Sequence, residues 1–393
     1  MDKKNRWDGI APAMQRLVDS GDFPGMGLLV FRRGEVLYEE AVGSMDLEAG
    51  KALQKDTLLR MYSMTKPITC AALLMLFEEG KFVLDDPVAR YIPAFAKTKV
   101  YAGMTMQGMR LVDPERPMSV RQLFTHTSGL SYGFNPANPV DLMYQKAKLF
   151  DGITYGSEPL KDIVEKIAAL PLLNHPGATY FYSVAHDVAG HLVSVLADMP
   201  FEDFVKSRIL APLGMSDSDF WVPPAKASRL AALYATGEDG KTALVAAPGT
   251  SHLLKPAPAA LGGMGLVSTL RDYLRFARML LNGGELDGER LLARRTVELM
   301  RSNQLNPVQI QGMGMPERPN YGYGYGLGVG VMLDRGLVGS MVSNGSFGWG
   351  GAAGTDCVID PQEEMVMLVM AQRLMAPYQH NVLLQNLVYQ AID

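Results

Sequence analysis

The chain has 393 residues, 48% of them hydrophobic and 20% charged, enough to bury a large core in two or three lobes. That balance argues against a disordered or fibrous chain. A formal net charge of -4 and a pI of about 5.9, with no long run of Lys or Arg, argue against a nucleic-acid groove or a basic membrane-surface patch.

The start, Met1 to Trp7, lacks the apolar core and cleavage site of a signal peptide, and no stretch approaches the roughly 20 apolar residues that span a bilayer. Ile10, Met14, Leu17 and Val18 fall at helical spacing over 8–20, ending at Gly21. Gly27 to Phe31 and Val36 to Tyr38 then read as two strands around Arg33-Gly34, a hairpin expected at the edge of an antiparallel sheet. From Thr65 an apolar helix runs through Ala71, Leu74 and Phe77 and stops at Gly80. The middle of the chain is rich in helices and in Pro/Gly punctuation, with amphipathic patterns over 119–125, 160–170, 185–197, 201–209, 268–282 and 294–302. Strands return as Tyr325 to Met332, Val358 to Ile359 and Met365 to Met370, the last two joined by Asp360-Pro361-Gln362, and 378–392 closes as a helix. The alternating Tyr321-Gly322-Tyr323-Gly324-Tyr325-Gly326 reads as a glycine-rich turn before a strand. A sheet built from both chain ends with helices inserted between them is an α/β (α+β) layout, and it leaves a cleft between lobes. The expected division is a sheet domain from 1–85 and 320–393 and a mainly helical region over 86–319, part of 260–319 packing on the sheet.

Two cysteines, Cys70 and Cys357, make neither a disulfide framework nor a metal spacing, and a reduced, cytoplasmic setting fits them. The six histidines are spread along the chain, and His186 and His191 at i, i+5 do not share the helix face of a zinc pair. No metal and no cofactor is expected.

The chemistry points to Ser63-Met64-Thr65-Lys66. This spacing puts a hydroxyl and an amine on one face of a helix start. It arises by chance about once in a chain of this size, but here it stands where a polar residue leads into a buried apolar helix. Free N–H groups and the positive dipole end favour an oxyanion there, and burial lowers the pKa of a lysine towards neutrality, so the amine can take the serine proton. The plain alternative is Ser63 as an N-cap and Lys66 as a solvated first-turn residue.

Two rivals lack context. Gly129-Leu130-Ser131-Tyr132-Gly133 matches the Gly-x-Ser-x-Gly elbow, which needs a strand before it and a helix after it. A helical segment, Val120 to Phe124, precedes it and Asn135 to Pro139 follows, so Ser131 reads as a turn residue. Tyr62 with Lys66, and Tyr144 with Lys148, fit the Tyr-x-x-x-Lys spacing of short-chain oxidoreductases. No dinucleotide fingerprint accompanies them, and the glycine runs near 262 and 322 miss its spacing.

Taken together, several segments resemble the class C β-lactamase and penicillin-binding-protein superfamily, and within it the family VIII carboxylesterases. They are Phe23-Pro24-Gly25-Met26-Gly27, Met61 to Pro67, Leu84 to Val88, Leu123-Phe124-Thr125-His126-Thr127-Ser128-Gly129-Leu130, Pro176-Gly177 leading to Phe181-Tyr182-Ser183, Pro212 to Met215, and Gly348-Trp349-Gly350-Gly351. The resemblance implies a β-lactamase-like fold, an antiparallel sheet flanked by helices with an inserted helical lobe. It implies Ser63 as the nucleophile that forms an acyl-enzyme, with Lys66 and Tyr182 sharing the proton transfers. It also implies the N–H groups of Ser63 and Ala352 as the oxyanion hole, with Trp349, Gly350 and Gly351 binding substrate.

Two departures shape the expected substrate. The third motif of the family begins with Lys or His, and here Trp349 holds that place, which removes an attraction for a β-lactam carboxylate and offers an apolar wall. Family β-lactamases read Tyr-x-Asn where this chain has Tyr182-Ser183-Val184, so the side-chain amide is missing. Neutral esters are therefore expected, with any β-lactam hydrolysis a weak side activity, and the family resemblance implies short acyl chains. A β-lactamase, a D-amino-acid peptidase and a penicillin-binding protein without turnover are the alternatives. His126 reads as a structural hydrogen-bonding residue, and the 25 methionines mostly as core filler.

Overall fold

The computed structural model describes residues 6–149, 158–237, 242–256, 258–313, 322–376 and 379–392. Eight strands form one antiparallel sheet: β1 (Gly25–Arg32), β2 (Glu35–Asp46), β3 (Lys51–Ala52), β4 (Tyr323–Tyr325), β5 (Gly330–Met332), β6 (Phe347–Gly348), β7 (Asp356–Asp360) and β8 (Met365–Ala371). Their order is β4-β5-β6-β7-β8-β1-β2-β3, so the two ends of the chain meet where β1 pairs with β8, Met26 opposite Ala371 and Arg32 opposite Met365. The mixed helices and antiparallel sheet are those of a β-lactamase-like fold.

The β1–β2 turn forms as expected, with Arg33 and Gly34 both at positive φ, 49° and 92°, the twist that a two-residue hairpin requires. The hairpin lies towards one edge of the sheet as expected, with β2 joined on its outer side only by the short β3 at Ser44 and Asp46, while β1 is its inner strand, between β8 and β2. The reason lies in its side chains. Met26, Leu28 and Val30 pack on one face with Ile10, Met14, Leu384 and Val388, while Leu29 and Phe31 join the main core on the other. A strand apolar on both sides needs cover on both. Helices α1 (Ile10–Asp19) and α7 (Gln379–Ala391) supply the first layer. Helix α6 (Leu270–Leu281) lies on the opposite face, its Tyr273, Phe276 and Ala277 in the same core as Leu368 and Met370.

Helix α2 (Thr65–Glu78) runs through this main core, and Thr65 to Leu76 are all buried, the pattern of a helix with no solvent face. Helix α5 (Ala185–Ala197) packs against it, and α3 (Val120–Phe124) and α4 (Leu160–Ala168) pack in turn on α5 within the same core. The predicted helix over 201–209 is an α-helix only from Phe201 to Val205 and continues as a wider turn over Lys206–Leu210. The run from Tyr325 to Met332 is two strands rather than one, because Gly328 at φ 87° folds it back, with the Gly326 N–H donating to the Val329 carbonyl at 2.7 Å. Tyr321 and residue 378, at the ends of predicted elements, lie outside the described residues. The strand pairs Val100–Thr105 with Gly108–Val112 and Leu233–Thr236 with Thr242–Ala246, and the helix Pro139–Lys146, carry no sequence pattern noted above.

Candidate active site

Ser63 stands in a 3-10 turn, Tyr62–Met64, that feeds directly into α2. Tyr62 before it takes φ 46°, a region unusual for a bulky residue and a mark of a constrained turn. The Ser63 hydroxyl is not a helix cap. It receives Lys66 Nζ at 3.2 Å and the Tyr182 phenol at 2.6 Å, so the structure brings together the three side chains singled out in the sequence. The helix sets the first contact, since residues i and i+3 share a face. Chain topology sets the second, across 119 positions.

Lys66 is fully buried, and its nitrogen has three neighbours at hydrogen-bonding distance. Besides Ser63 these are the Gly263 carbonyl at 2.8 Å and the Tyr132 hydroxyl at 3.4 Å. The faces of the Tyr182 and Tyr132 rings lie 4.6 and 5.5 Å away. A buried amine needs such partners, because an unpaired one loses its solvation without return. Gly263 is held in turn by its N–H, which donates to Asp187 Oδ1 at 2.8 Å. Asp187 is fully buried in the first turn of α5. Gly262 is a close-approach glycine, since a Cβ there would collide with the His186 carbonyl and crowd Thr69 at 3.0 Å. The run near 262, read in sequence only as a failed dinucleotide motif, is thus the lid over the lysine.

Tyr182 comes from the segment that precedes α5, pinned by the loop after α3. The Phe181 N–H donates to the His126 carbonyl at 2.8 Å, and the Val184 N–H to the Ser131 carbonyl at 3.1 Å. The ring of Tyr182 stacks on Tyr132 with centroids 5.5 Å apart, and Tyr132 stacks on the exposed Phe134 at 4.6 Å. Trp349 lies 5.9 Å from Tyr182 on the other side and meets Tyr325 edge-on at 5.0 Å. Ser63, Tyr182 and Trp349 are half-buried, so solvent reaches all three. The aromatic series Phe134, Tyr132, Tyr182, Trp349 forms an apolar wall beside the hydroxyl.

The segment from Trp349 to Gly351, just after β6, runs against the turn that leads into Ser63. A Cβ on Gly351 would fall 2.5 Å from the carbonyl oxygen of Met61 and would also strike the Thr355 hydroxyl, so only glycine allows this approach. Gly350 has similar need, 3.0 Å from the Thr355 carbonyl. Ala352 is exposed at the end of this run, its carbonyl accepting from the Met375 N–H at 3.1 Å.

The rivals are accounted for. Ser131 is fully buried, and its hydroxyl donates to Asp141 Oδ1, whose other oxygen takes the Asn135 N–H at 2.9 Å. It is a turn residue pointing away from the cleft chemistry. Tyr144 is buried and Lys148 exposed, so that Tyr-x-x-x-Lys pair does not form a site. Tyr62 packs with Leu233 and Ala353, while Lys66 turns to Ser63. Cys70 and Cys357 are free and buried, and burial pushes both thiols well above their ordinary pKa. His126 and His186, apart in sequence, stand with ring centroids 4.4 Å apart behind Tyr182. Burial first, and the charge of Lys66 after it, hold both well below the usual imidazole value. Among the described residues no group of three His, Cys, Asp or Glu is arranged to hold a metal ion, and no helix is long and apolar enough to cross a membrane.

A buried lysine and a phenol converging on one serine at a helix start agree with what a family comparison finds, for the β-lactamase family model matches residues 10–387. The chain belongs to the β-lactamase family. It is similar to Protein Rv1367c of Mycobacterium tuberculosis, 35% identical over 93% of this chain and 90% of that protein. It is also similar to Esterase EstB of Burkholderia gladioli, 33% identical over 64% of each chain. Among solved structures it resembles EstCE1, described as a hydrolase with promiscuous acyltransferase activity, with 25% identity, a TM-score of 0.81, and coverage of 98% of this chain and 99% of that one. The family match makes it a β-lactamase-fold hydrolase of the class C and penicillin-binding-protein-like superfamily.

Proposed function

We propose that the protein is a serine carboxylesterase of the family VIII type, acting on short-chain esters through an acyl-enzyme at Ser63. The observation that carries this reading is the double hold on one hydroxyl, by Lys66 at 3.2 Å and by Tyr182 at 2.6 Å. The Ser63 oxygen attacks the ester carbonyl while its proton passes to the Lys66–Tyr182 pair. The N–H groups of Ser63 and Ala352 take the developing oxyanion. The same pair returns the proton to the departing alkoxide, and water then enters by the reverse relay to release the acid. Trp349, Gly350 and Gly351 line the substrate side, and the aromatic wall favours a neutral, apolar ester over an anionic β-lactam. The partner is a small-molecule ester in a reducing, cytoplasmic setting, and no cofactor takes part.

A second reading, acyl transfer to an alcohol, is favoured by the same wall, because an apolar cleft holds an alcohol against the acyl-enzyme better than it holds water. EstCE1 is described with that side activity.

One assay set tests both. The purified protein is offered p-nitrophenyl butyrate, a chromogenic cephalosporin and a D-alanyl peptide, with and without a primary alcohol. Turnover of the ester, lost in Ser63→Ala, supports the proposal, and an alkyl butyrate formed with alcohol present adds the transfer reading. Rapid cephalosporin loss with an inert ester points to a β-lactamase, peptide cleavage to a peptidase, and one-time acylation without release to a penicillin-binding protein.

A further inference from the structure

We propose that His126 is the positioning residue for Tyr182, holding the phenol over Ser63 through hydrogen bonds to the peptide groups on both of its sides. The proposal rests on the catalytic reading of Ser63, Lys66 and Tyr182. His126 is fully buried in the loop that leaves α3. Its main-chain carbonyl accepts the N–H of Phe181 at 2.8 Å, and its ring Nδ1 accepts the N–H of Ser183 at 3.1 Å. One residue therefore fixes both flanks of Tyr182. The Nδ1 also lies 3.3 Å from the Ser183 hydroxyl, and the imidazole rests against the Tyr182 ring at 4.5 Å between centroids.

Two features make the residue type matter. The backbone of His126 sits at φ 54°, where most side chains are strained and His, Asn and Asp are the better tolerated residues. That conformation turns the carbonyl and the ring of one residue towards the same short segment. The Nδ1 must also carry a lone pair to receive an N–H, so the ring is the neutral tautomer with its proton on Nε2. The surroundings favour the neutral ring: burial, then His186 and Lys66, hold it well below its ordinary pKa, with Tyr180, Tyr182 and Tyr325 also against it. The tautomer itself is set by the Ser183 N–H at Nδ1, since the buried Nε2 meets no partner among the described residues. A small displacement of the phenol is expensive, because misplacing a catalytic group by about 1 Å costs roughly 100-fold in rate.

The test compares His126→Ala, His126→Asn and His126→Gln in ester turnover and thermal melting. The amide oxygen of Asn reaches the place of Nδ1 and Asn accepts the left-handed backbone, whereas Gln presents its amide at the place of Nε2. We expect kcat to fall about 10- to 100-fold in the Ala and Gln variants, with KM within about twofold, and to return to within about fivefold of the parent in the Asn variant. An Ala variant with parental kcat, or an Asn variant as slow as Ala at equal melting temperature, overturns the proposal. The tautomer is measured on the parent protein, independent of turnover and of how the variants fold, by 15N spectra of histidine-labelled enzyme assigned by loss of a signal in His126→Asn or, if that variant does not fold, by its contact with Ser183. A proton on Nε2 supports the clamp and a proton on Nδ1 sinks it. Failure of the parent to cleave esters counts against the esterase reading, while the tautomer still decides the clamp.

Discussion

The hydroxyl of Tyr182 donates to that of Ser63 at 2.6 Å while the Lys66 nitrogen lies 4.6 Å from the centre of the same tyrosine ring. The phenol therefore shares the serine with the amine and is touched by it. Tyr182→Phe keeps the stacking on Tyr132 and removes only the oxygen. It is expected to lower kcat/KM for a p-nitrophenyl ester by about 100- to 10,000-fold, the range of a lost general acid–base group, with an unchanged circular-dichroism melting curve. A loss under about threefold would remove Tyr182 from the proton path.

Gly263 closes the lysine pocket, and its shape is tested by adding one carbon. A Cβ there would lie 3.0 and 3.1 Å from the two Asp187 oxygens and 3.1 Å from the Tyr132 hydroxyl. In Gly263→Ala the Asp187 carboxylate, the Tyr132 hydroxyl or the loop itself must give by a few tenths of an ångström, which disturbs the groups that hold the Lys66 amine. Overpacking of this kind costs about 1–3 kcal/mol, and kcat is expected to drop at least about tenfold. Parental kinetics in this variant would show that the Gly263 carbonyl does not orient the amine.

Ser131 separates a structural serine from a catalytic one. Ser131→Ala leaves the buried Asp141 with one fewer donor, which costs about 1–3 kcal/mol, readable as a lower urea midpoint. Turnover per folded molecule is expected to stay within about twofold. If instead activity vanished here and survived in Ser63→Ala, the nucleophile would be misassigned.

Acid stability has a marked contributor at Asp217, whose carboxyl is lowered to about 2, first by its hydrogen bond to Arg229 and then by Lys226. The distances are 2.7 Å to Arg229 and 2.9 Å to Lys226. A carboxyl with a depressed folded pKa stabilises fully above its ordinary value of 3.8, and that stability is lost as pH falls through about 2. Partial exposure of the cluster screens it, leaving about 1 kcal/mol. Asp217→Asn is expected to unfold at lower urea than the parent at pH 7, with the gap closing between pH 4 and pH 2. A gap that persists at pH 2 would mean that packing rather than charge is lost.

The cysteines give a chemical check. Both are buried with thiols pushed well above their ordinary pKa, so neither offers a thiolate. Native protein treated with iodoacetamide at pH 7.5 is expected to keep its activity and to show no added mass, while protein in 6 M guanidinium takes up two groups. Rapid inactivation of the native protein would place an open path to Cys70 beside the site.

Ser63 and Lys66 were legible because their relation is local, fixed by the pitch of one helix. Tyr182 had no signal of its own among 16 tyrosines and came forward only through the family resemblance. Tyr132, Gly263 and Asp187 were missed for a physical reason: their contacts with the lysine pocket span 66, 197 and, between Asp187 and Gly263, 76 positions, and no periodicity encodes a long-range contact. Tyr132 was in view as part of the turn around Ser131, and the glycines near 262 were noted for a spacing they lack. The first hairpin was legible as an edge feature, and the inner place of β1 within it follows from Leu28 to Phe31, which leave no polar face.

The pairing of β1 with β8 has a consequence for synthesis. A ribosome releases β1 early and completes its partner strand some 330 residues afterwards, which at about 5–20 residues per second is roughly 15 to 70 s. Throughout that interval one hydrogen-bonding margin of an apolar strand is open to any neighbouring nascent chain. Whatever shields that margin therefore bears on folding yield, and slower translation lengthens the interval of exposure.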